Sequence, residues 1–188
     1  FSDMVHPIPV GFTRIEEGDV IEMGSRIWDI RVDHGHAPDH ASFWSRDDNL
    51  VLSGDQVIAS ISSNIGVYPT EPDANPLAEW MNSCARLQEF ATADHLALPG
   101  HKLPFIGMPL RLKQLLENHH GALDRLRADL KSPKTAGEIM LAVFKRNIGD
   151  GEYGLGLVEA LAHCNYLWHA GEASRTLDQD GAYRWVIK

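Results

Sequence analysis

The chain has 188 residues, a hydrophobic share of 44% and a charged share of 23%. These values fit one ordinary folded domain with a small second one and exclude a disordered or fibrous chain. The formal net charge of −9 is uneven: residues 1–110 carry 16 acidic against 6 basic side chains, residues 115–188 carry 10 against 9. An acidic first part repels nucleic acid unless bound cations or a local basic surface reverse its field.

No apolar run approaches the roughly 20 residues of a membrane helix, so no membrane partner is expected. The sequence opens on Phe1 rather than methionine, and further sequence upstream, with any targeting segment, is expected. Cys84 and Cys164 lie far apart in helix-like apolar patterns. They read as buried reduced thiols and point to a reducing, cytoplasmic compartment.

In chain order, "GDVIEMGSRIWDIRVDHG" predicts two strands joined by a turn at Gly24-Ser25, and "ASFWSRDDNLVLSGD" predicts two more around a polar turn at Arg46–Asn49. Residues 58–75 form a long Ser, Asn, Pro and Gly-rich connection of the kind that is often functional or mobile. "NPLAEWMNSCARLQEFA" predicts a helix capped by Asn75, with Pro76 in its first turn and Leu77, Trp80, Met81, Cys84, Leu87 and Phe90 at helical spacing. "HLALPGH" gives a short strand running into Pro99-Gly100-His101. This order suggests a layered α/β arrangement.

After Pro104 the pattern changes. A largely helical stretch from Leu110 to Leu130 has a possible break at Gly121, and "TAGEIMLAVFKRN" opens on a capping box between Thr135 and Glu138. "GLGLVEALAHCNYLWHAG" is a helix closed by Gly171, and Asp180-Gly181 marks a hairpin turn. Three helices followed by a hairpin is the order of a winged-helix domain. The expected division is 1–110 and 111–188.

The chemistry concentrates at three places. "DHGHAPDHASFW" packs His34, His36 and His40 beside a strand end; "LVLSGD" delivers Asp55 at the end of a buried strand; "LALPGH" delivers His101. Imidazole and carboxylate are zinc-class ligands, and strand ends hold ligands rigidly. Each motif alone also suits ordinary turn chemistry. Their shared placement favours a metal site. Trp80, Met81, Met140 and Trp168 read as packing. His6, His95, His119, His120, His163 and His169 lack such context and are assigned core or surface roles. Lys131, Lys134, Lys145 and Arg146 read as a solvated face rather than a nucleic-acid site.

The order "GHAPDH", "SGD", "LPGH", together with "PLAEWMNSCARL" and the tail "VEALAHCNYLWHAGE", resembles the metallo-β-lactamase fold hydrolases, in particular β-lactamase-like proteins with an appended C-terminal winged helix. The resemblance implies an α+β fold: the C-terminal half of the αββα sandwich, then a winged-helix domain. It implies two divalent metal ions, most simply zinc, with His36 on the first, His101 on the second and Asp55 bridging both as the central catalytic ligand. His40 would stand behind the ligands, and His34 would be an adventitious ligand or a rim residue. The loop 60–73 is the expected substrate rim, with Asn64 and Tyr68 as contacts.

The implied activity is a metal-dependent hydrolase acting through metal-bound hydroxide on a small ester, thioester or lactone. The alternatives are a single-strand endoribonuclease-like phosphodiesterase, or a non-catalytic winged-helix module with a degenerate metal domain. Nucleic acid is possible but not favoured. The family's His-x-His-x-Asp-His cluster does not occur in the sequence. The chain is therefore expected to be a C-terminal portion, incomplete for catalysis alone, and to pair with the missing N-terminal half or with a second copy.

Overall fold

The computed structural model describes residues 11–188. Seven strands and four α-helices follow in the order β1 (Val20–Met23), β2 (Arg26–Asp33), β3 (His40–Ser45), β4 (Leu50–Gly54), α1 (Pro76–Leu87), β5 (Leu96–Pro99), α2 (Met108–Asp129), α3 (Met140–Phe144), α4 (Tyr153–His169), β6 (Ala173–Leu177) and β7 (Tyr183–Ile187). Strands β1 to β5 make one sheet in sequence order, antiparallel until β4 and β5, which run parallel with α1 in the crossover; β6 and β7 form a separate hairpin.

Local chemistry accounts for most of these elements. Gly24 and Ser25 both take positive φ (62° and 59°), the two-residue turn whose twist suits a hairpin. The Asn75 side chain accepts from the Ala78 amide and Pro76 occupies the first turn of α1. The β6–β7 turn is tied by Asp178, whose Oδ1 accepts from the Asp180 and Ala182 amides at 3.0 and 2.9 Å, and Gly181 takes φ 81°.

Three local expectations differ. Helix α2 runs unbroken through Gly121, because a single glycine costs only about 1 kcal/mol in a helix whose other residues bury Leu112, Leu115, Leu123 and Leu126. The Thr135–Glu138 box closes (Thr135 amide to Glu138 Oε2, 2.8 Å), yet it caps a turn, and α3 spans just five residues before Lys145 takes a left-handed conformation. Helix α1 ends at Leu87, before Phe90, which is exposed and carries the Arg31 guanidinium 4.0 Å above its ring.

The core is continuous. It runs from Trp44, Val51 and Ala97 on the sheet, through Leu77 and Trp80 of α1 and the buried face of α2, to Leu167 of α4 and Trp185 of the hairpin. Register places Asp29, Trp44, Val51 and Ala97 side by side on one sheet face, and Ile30, Phe43, Leu52 and Leu98 on the other. Of the second set, none belongs to the continuous core among the described residues. No described helix is long and apolar enough to cross a membrane.

The loop between β4 and α1 is fastened to α4 and to β6. The Val67 amide donates to Val158 O at 3.1 Å, Asn165 Nδ2 to Pro72 O and Ala74 O at 3.0 and 2.9 Å, and Arg175 pairs with Asp73 at 2.6 Å.

Candidate metal centre

Three turns at the same end of the sheet converge on Asp55. His36 follows β2, Asp55 follows β4 and His101 follows β5, each preceded by a glycine. His101 Nδ1 lies 2.8 Å from Asp55 Oδ1 and His36 Nε2 lies 3.8 Å from Asp55 Oδ2. One carboxylate thus addresses one imidazole with each oxygen.

Tautomers follow from the acceptors. His36 Nδ1 sits 2.8 Å from the Asn64 carbonyl oxygen, and carbonyl and carboxylate oxygens only accept. In the neutral imidazoles the proton is then on Nδ1, and Nε2 of each ring carries the free lone pair. A ligating histidine fixed through its other ring nitrogen is the usual arrangement.

The glycines are sterically required. A Cβ on Gly35 (φ 100°) would lie 2.4 Å from Trp80 Cβ and 2.5 Å from Pro76 O; on Gly54 (φ 49°), 2.5 Å from His40 Nε2; on Gly100, 2.7 Å from Asp55 Oδ1. Backbone and ligand approach too closely at all three for any side chain.

His40 packs edge-on against His36, ring centroids 6.2 Å apart, and burial with the neighbouring His36 holds its pKa below the ordinary imidazole value. His34 turns away: its ring is half exposed and faces Asp39, Nδ1 to Oδ1 3.6 Å. Asn64 lines the cleft with His36, Asp55 and His101, whereas Tyr68 lines a smaller adjoining pocket of about 100 Å³ that shares His36. His6 lies outside the described residues. The others hold surface or core positions, with His95 bonded to the Thr92 amide and His169 to Asp73 O.

The cleft, about 380 Å³, takes much of its wall from residues whose sequence context suggests only packing or solvated surface. Phe144, Ile148 and Leu155 supply apolar wall, Arg146 and Glu152 form a 2.8 Å ion pair, and Glu159 is buried in the wall. Burial pushes the Glu159 carboxyl up to about 7, the Asn64 amide opposing, and burial draws His119 and His163 beside it down. The one advance signal was Glu159 and His163 four apart on a single helix, on the same face.

Among the described residues, His119, Glu159 and His163 are the only three that bring possible ligand atoms within 4.8 Å of one another. His36, Asp55 and His101 are joined pairwise through Asp55 instead. That spread does not place all three around a single ion, because ligands about 2 Å from a common ion must converge.

A five-stranded mixed sheet with helices, presenting imidazole and carboxylate at its strand ends, defines an α+β metal-binding fold. The description "Metallo-beta-lactamase superfamily" matches residues 5–101, and "Metallo-beta-lactamase-like, C-terminal domain" matches residues 123–188. The chain belongs to the metallo-β-lactamase superfamily, whose members usually bind divalent metal ions. Among solved structures it is similar to a β-lactamase domain protein from Burkholderia ambifaria (36% identity, TM-score 0.92, covering 100% of this chain and 56% of that one). It is also similar to a metallo-β-lactamase family protein from Thermus thermophilus (29% identity, TM-score 0.82, 98% and 56%). The chain thus spans just over half the length of these relatives. Comparison with curated proteins returns no match.

Proposed function

We propose that the protein is a metal-dependent hydrolase of a small ester, thioester or lactone, with two zinc-class ions held in part by His36, Asp55 and His101. The observation that carries this reading is Asp55 at the base of the cleft, one oxygen toward each histidine. Such ions supply two things when bound: a Lewis acid for the substrate carbonyl, and water acidic enough to attack near neutral pH.

The chain's own residues do the rest. Asn64 O orients His36, and His40 fills the space behind it. Ile58, Ile61, Phe144 and Leu155 make an apolar wall that excludes water around a small acyl group. Asn64 and Tyr68 are proposed as substrate contacts, Tyr68 at the rim. Asp55 and Glu152 beside the lone Arg146 make a poor track for a polyanion, so a phosphodiester substrate is disfavoured.

Two further proposals attach to this reading. The remaining ligands come from a His-x-His-x-Asp-His segment outside these 188 residues. Residues 111–188 form a winged-helix domain after a first domain at 1–110, a reading supported by the order α2, α3, α4, hairpin.

The test is metal content and hydrolysis of ester, thioester and lactone panels by the full-length protein and by His36→Ala, Asp55→Asn and His101→Ala. Each variant is expected to lose bound metal and at least about 100-fold in kcat/KM, since residues that merely support ligands already account for 10- to 100-fold. Unchanged metal content in all three would remove the assignment.

A further inference from the structure

Deeper than the cleft ligands, α2 and α4 bring a second set of chemical groups together. His119, Glu159 and His163 are 1%, 8% and 0% exposed. His119 Nδ1 and His163 Nε2 are 3.2 Å apart, and His163 Nδ1 lies 2.8 Å from the Glu159 carbonyl oxygen. That carbonyl must accept, so the His163 proton is on Nδ1 and its Nε2 presents a lone pair toward His119.

A purely hydrogen-bonded trio leaves two groups unanswered. His119 Nε2 is buried without a partner, and the Glu159 carboxylate makes no ion pair among the described residues; its Oε2 receives only Asn64 Nδ2, at 3.3 Å. Burying an unpaired carboxylate is costly and a bound cation answers it directly, whereas His119 Nε2, on the other side of the ring from His163, keeps its own unmet need.

We propose that His119, Glu159 and His163 bind one zinc-class divalent ion, at a site separate from His36, Asp55 and His101. Two imidazoles and one carboxylate form a ligand set of the type zinc takes in three-ligand sites that keep a fourth position open. The 3.2 Å between imidazole nitrogens is close to the spacing of neighbouring ligands about 2 Å from a tetrahedral ion, roughly 3.3 Å.

The backbone carbonyl that fixes the His163 ring is the outer support ligating histidines usually have. Glu159 and His163, one turn apart on α4, face α2 together, and the Glu159 side chain, with three torsions, takes up any remaining closure. A cavity of about 100 Å³ adjoins all three residues, and Glu159 also lines the larger cleft, which gives an entry route and room for a water. The nearby Arg125 guanidinium is held on the Ala142 and Val143 carbonyls at 2.8 Å each, at the C-terminal end of α3, where its positive charge is offset.

The experiment is zinc-edge anomalous diffraction on crystals of the full-length protein, with zinc content after exhaustive dialysis for wild type, Glu159→Gln, His119→Gln and Asp55→Asn. Expected are an anomalous peak between the three side chains, and one zinc equivalent lost in folded Glu159→Gln and His119→Gln but retained at this site in Asp55→Asn. A wild-type map without that peak overturns the proposal, whether or not the variants fold. So does folded Glu159→Gln with unchanged zinc, or a zinc removed by dialysis. Loss of metal from the cleft ligands in Asp55→Asn bears on the hydrolase reading alone.

Discussion

At the scale of single residues, the glycines before His36, Asp55 and His101 shape the cleft as much as those side chains do. Gly35 has both a φ that L-residues avoid and backbone within van der Waals contact of where a Cβ would go, so Gly35→Ala is expected to cost roughly 3 kcal/mol or more and to displace His36. Gly18, also at positive φ but facing open space, isolates the strain, and Gly18→Ala should cost only about 1–2 kcal/mol and leave metal content unchanged. Denaturant midpoints with metal analysis of both variants check the pair; equal costs would refute the collision. The thiols are a second case. Burial pushes Cys164 up to about 12 and holds Cys84 well above the ordinary thiol value, so neither offers a thiolate. A disulfide reagent at pH 8 should label no thiol in the native protein and two on denaturation.

The residue scale was the most legible in the sequence. The convergence of His36, Asp55 and His101 was legible because each sits at a strand end beside a glycine, which is local information. Glu159 and His119 did not, because their meaning depends on α2 packing against α4, and no window of sequence contains both. His34 shows the opposite limit. It stands in the densest histidine cluster of the chain, yet two residues of spacing from His36 turn its ring to the surface.

At the scale of elements, Arg86 joins α1 to β2. Its guanidinium meets Asp33 Oδ1 at 3.0 Å and Glu17 at 2.9 Å and donates to Val32 O; Asp33 is fully buried. Removing Arg86 strands that carboxylate. Arg86→Ala should cost roughly 2–4 kcal/mol, below the upper range for buried pairs because Arg86 is a third exposed.

The pH dependence has a definite sign. Burial raises the Asp33 pKa while Ser42 and Arg86 lower it, so losing Arg86 raises it further. A carboxyl whose folded pKa exceeds its unfolded one favours the fold at low pH and works against it as pH rises through that range. The deficit of Arg86→Ala should therefore be smaller at pH 5 than at pH 7. A gap independent of pH would contradict this.

Gly121 gives an element-scale change in the other direction. A Cβ there meets only Arg125 Nη1, at 3.3 Å, so Gly121→Ala should stabilise α2 by roughly 0.5–1 kcal/mol, read as a rise in Tm. Element boundaries were legible where caps and turns are encoded locally, as at Asn75 and Asp178. They were not where competition decides: the Thr135 box closes on a turn, because the helix after it is halted within five residues by Lys145.

At the scale of the whole molecule, one face of the sheet lies outside the continuous core. Phe43, Leu52 and Leu98 are only partly buried there, while Ile30 beside them is fully buried, and a sheet with an apolar face needs a second layer. We propose that a second copy of this chain, or a segment outside these 188 residues, completes that layer. Prepared as these 188 residues alone, the chain should self-associate at micromolar concentration; a monodisperse monomer by sedimentation would remove the idea.

The fastening of the β4–α1 loop to α4 bears on modularity. Asn64 orients His36 through its carbonyl while its side chain donates to Leu155 O and Glu159 on α4. The helices and hairpin, although proposed as a second domain, are thus part of the mould around the turns that carry His36, Asp55 and His101. Grafting another protein's tail at residue 110 would exchange half the wall of the cleft and the anchor of its longest loop. A chimera that keeps its ligands will need matched contacts at Asn64, Val67, Asp73 and Ala74, and a library of tails should sort by those four positions before it sorts by anything on its outer surface.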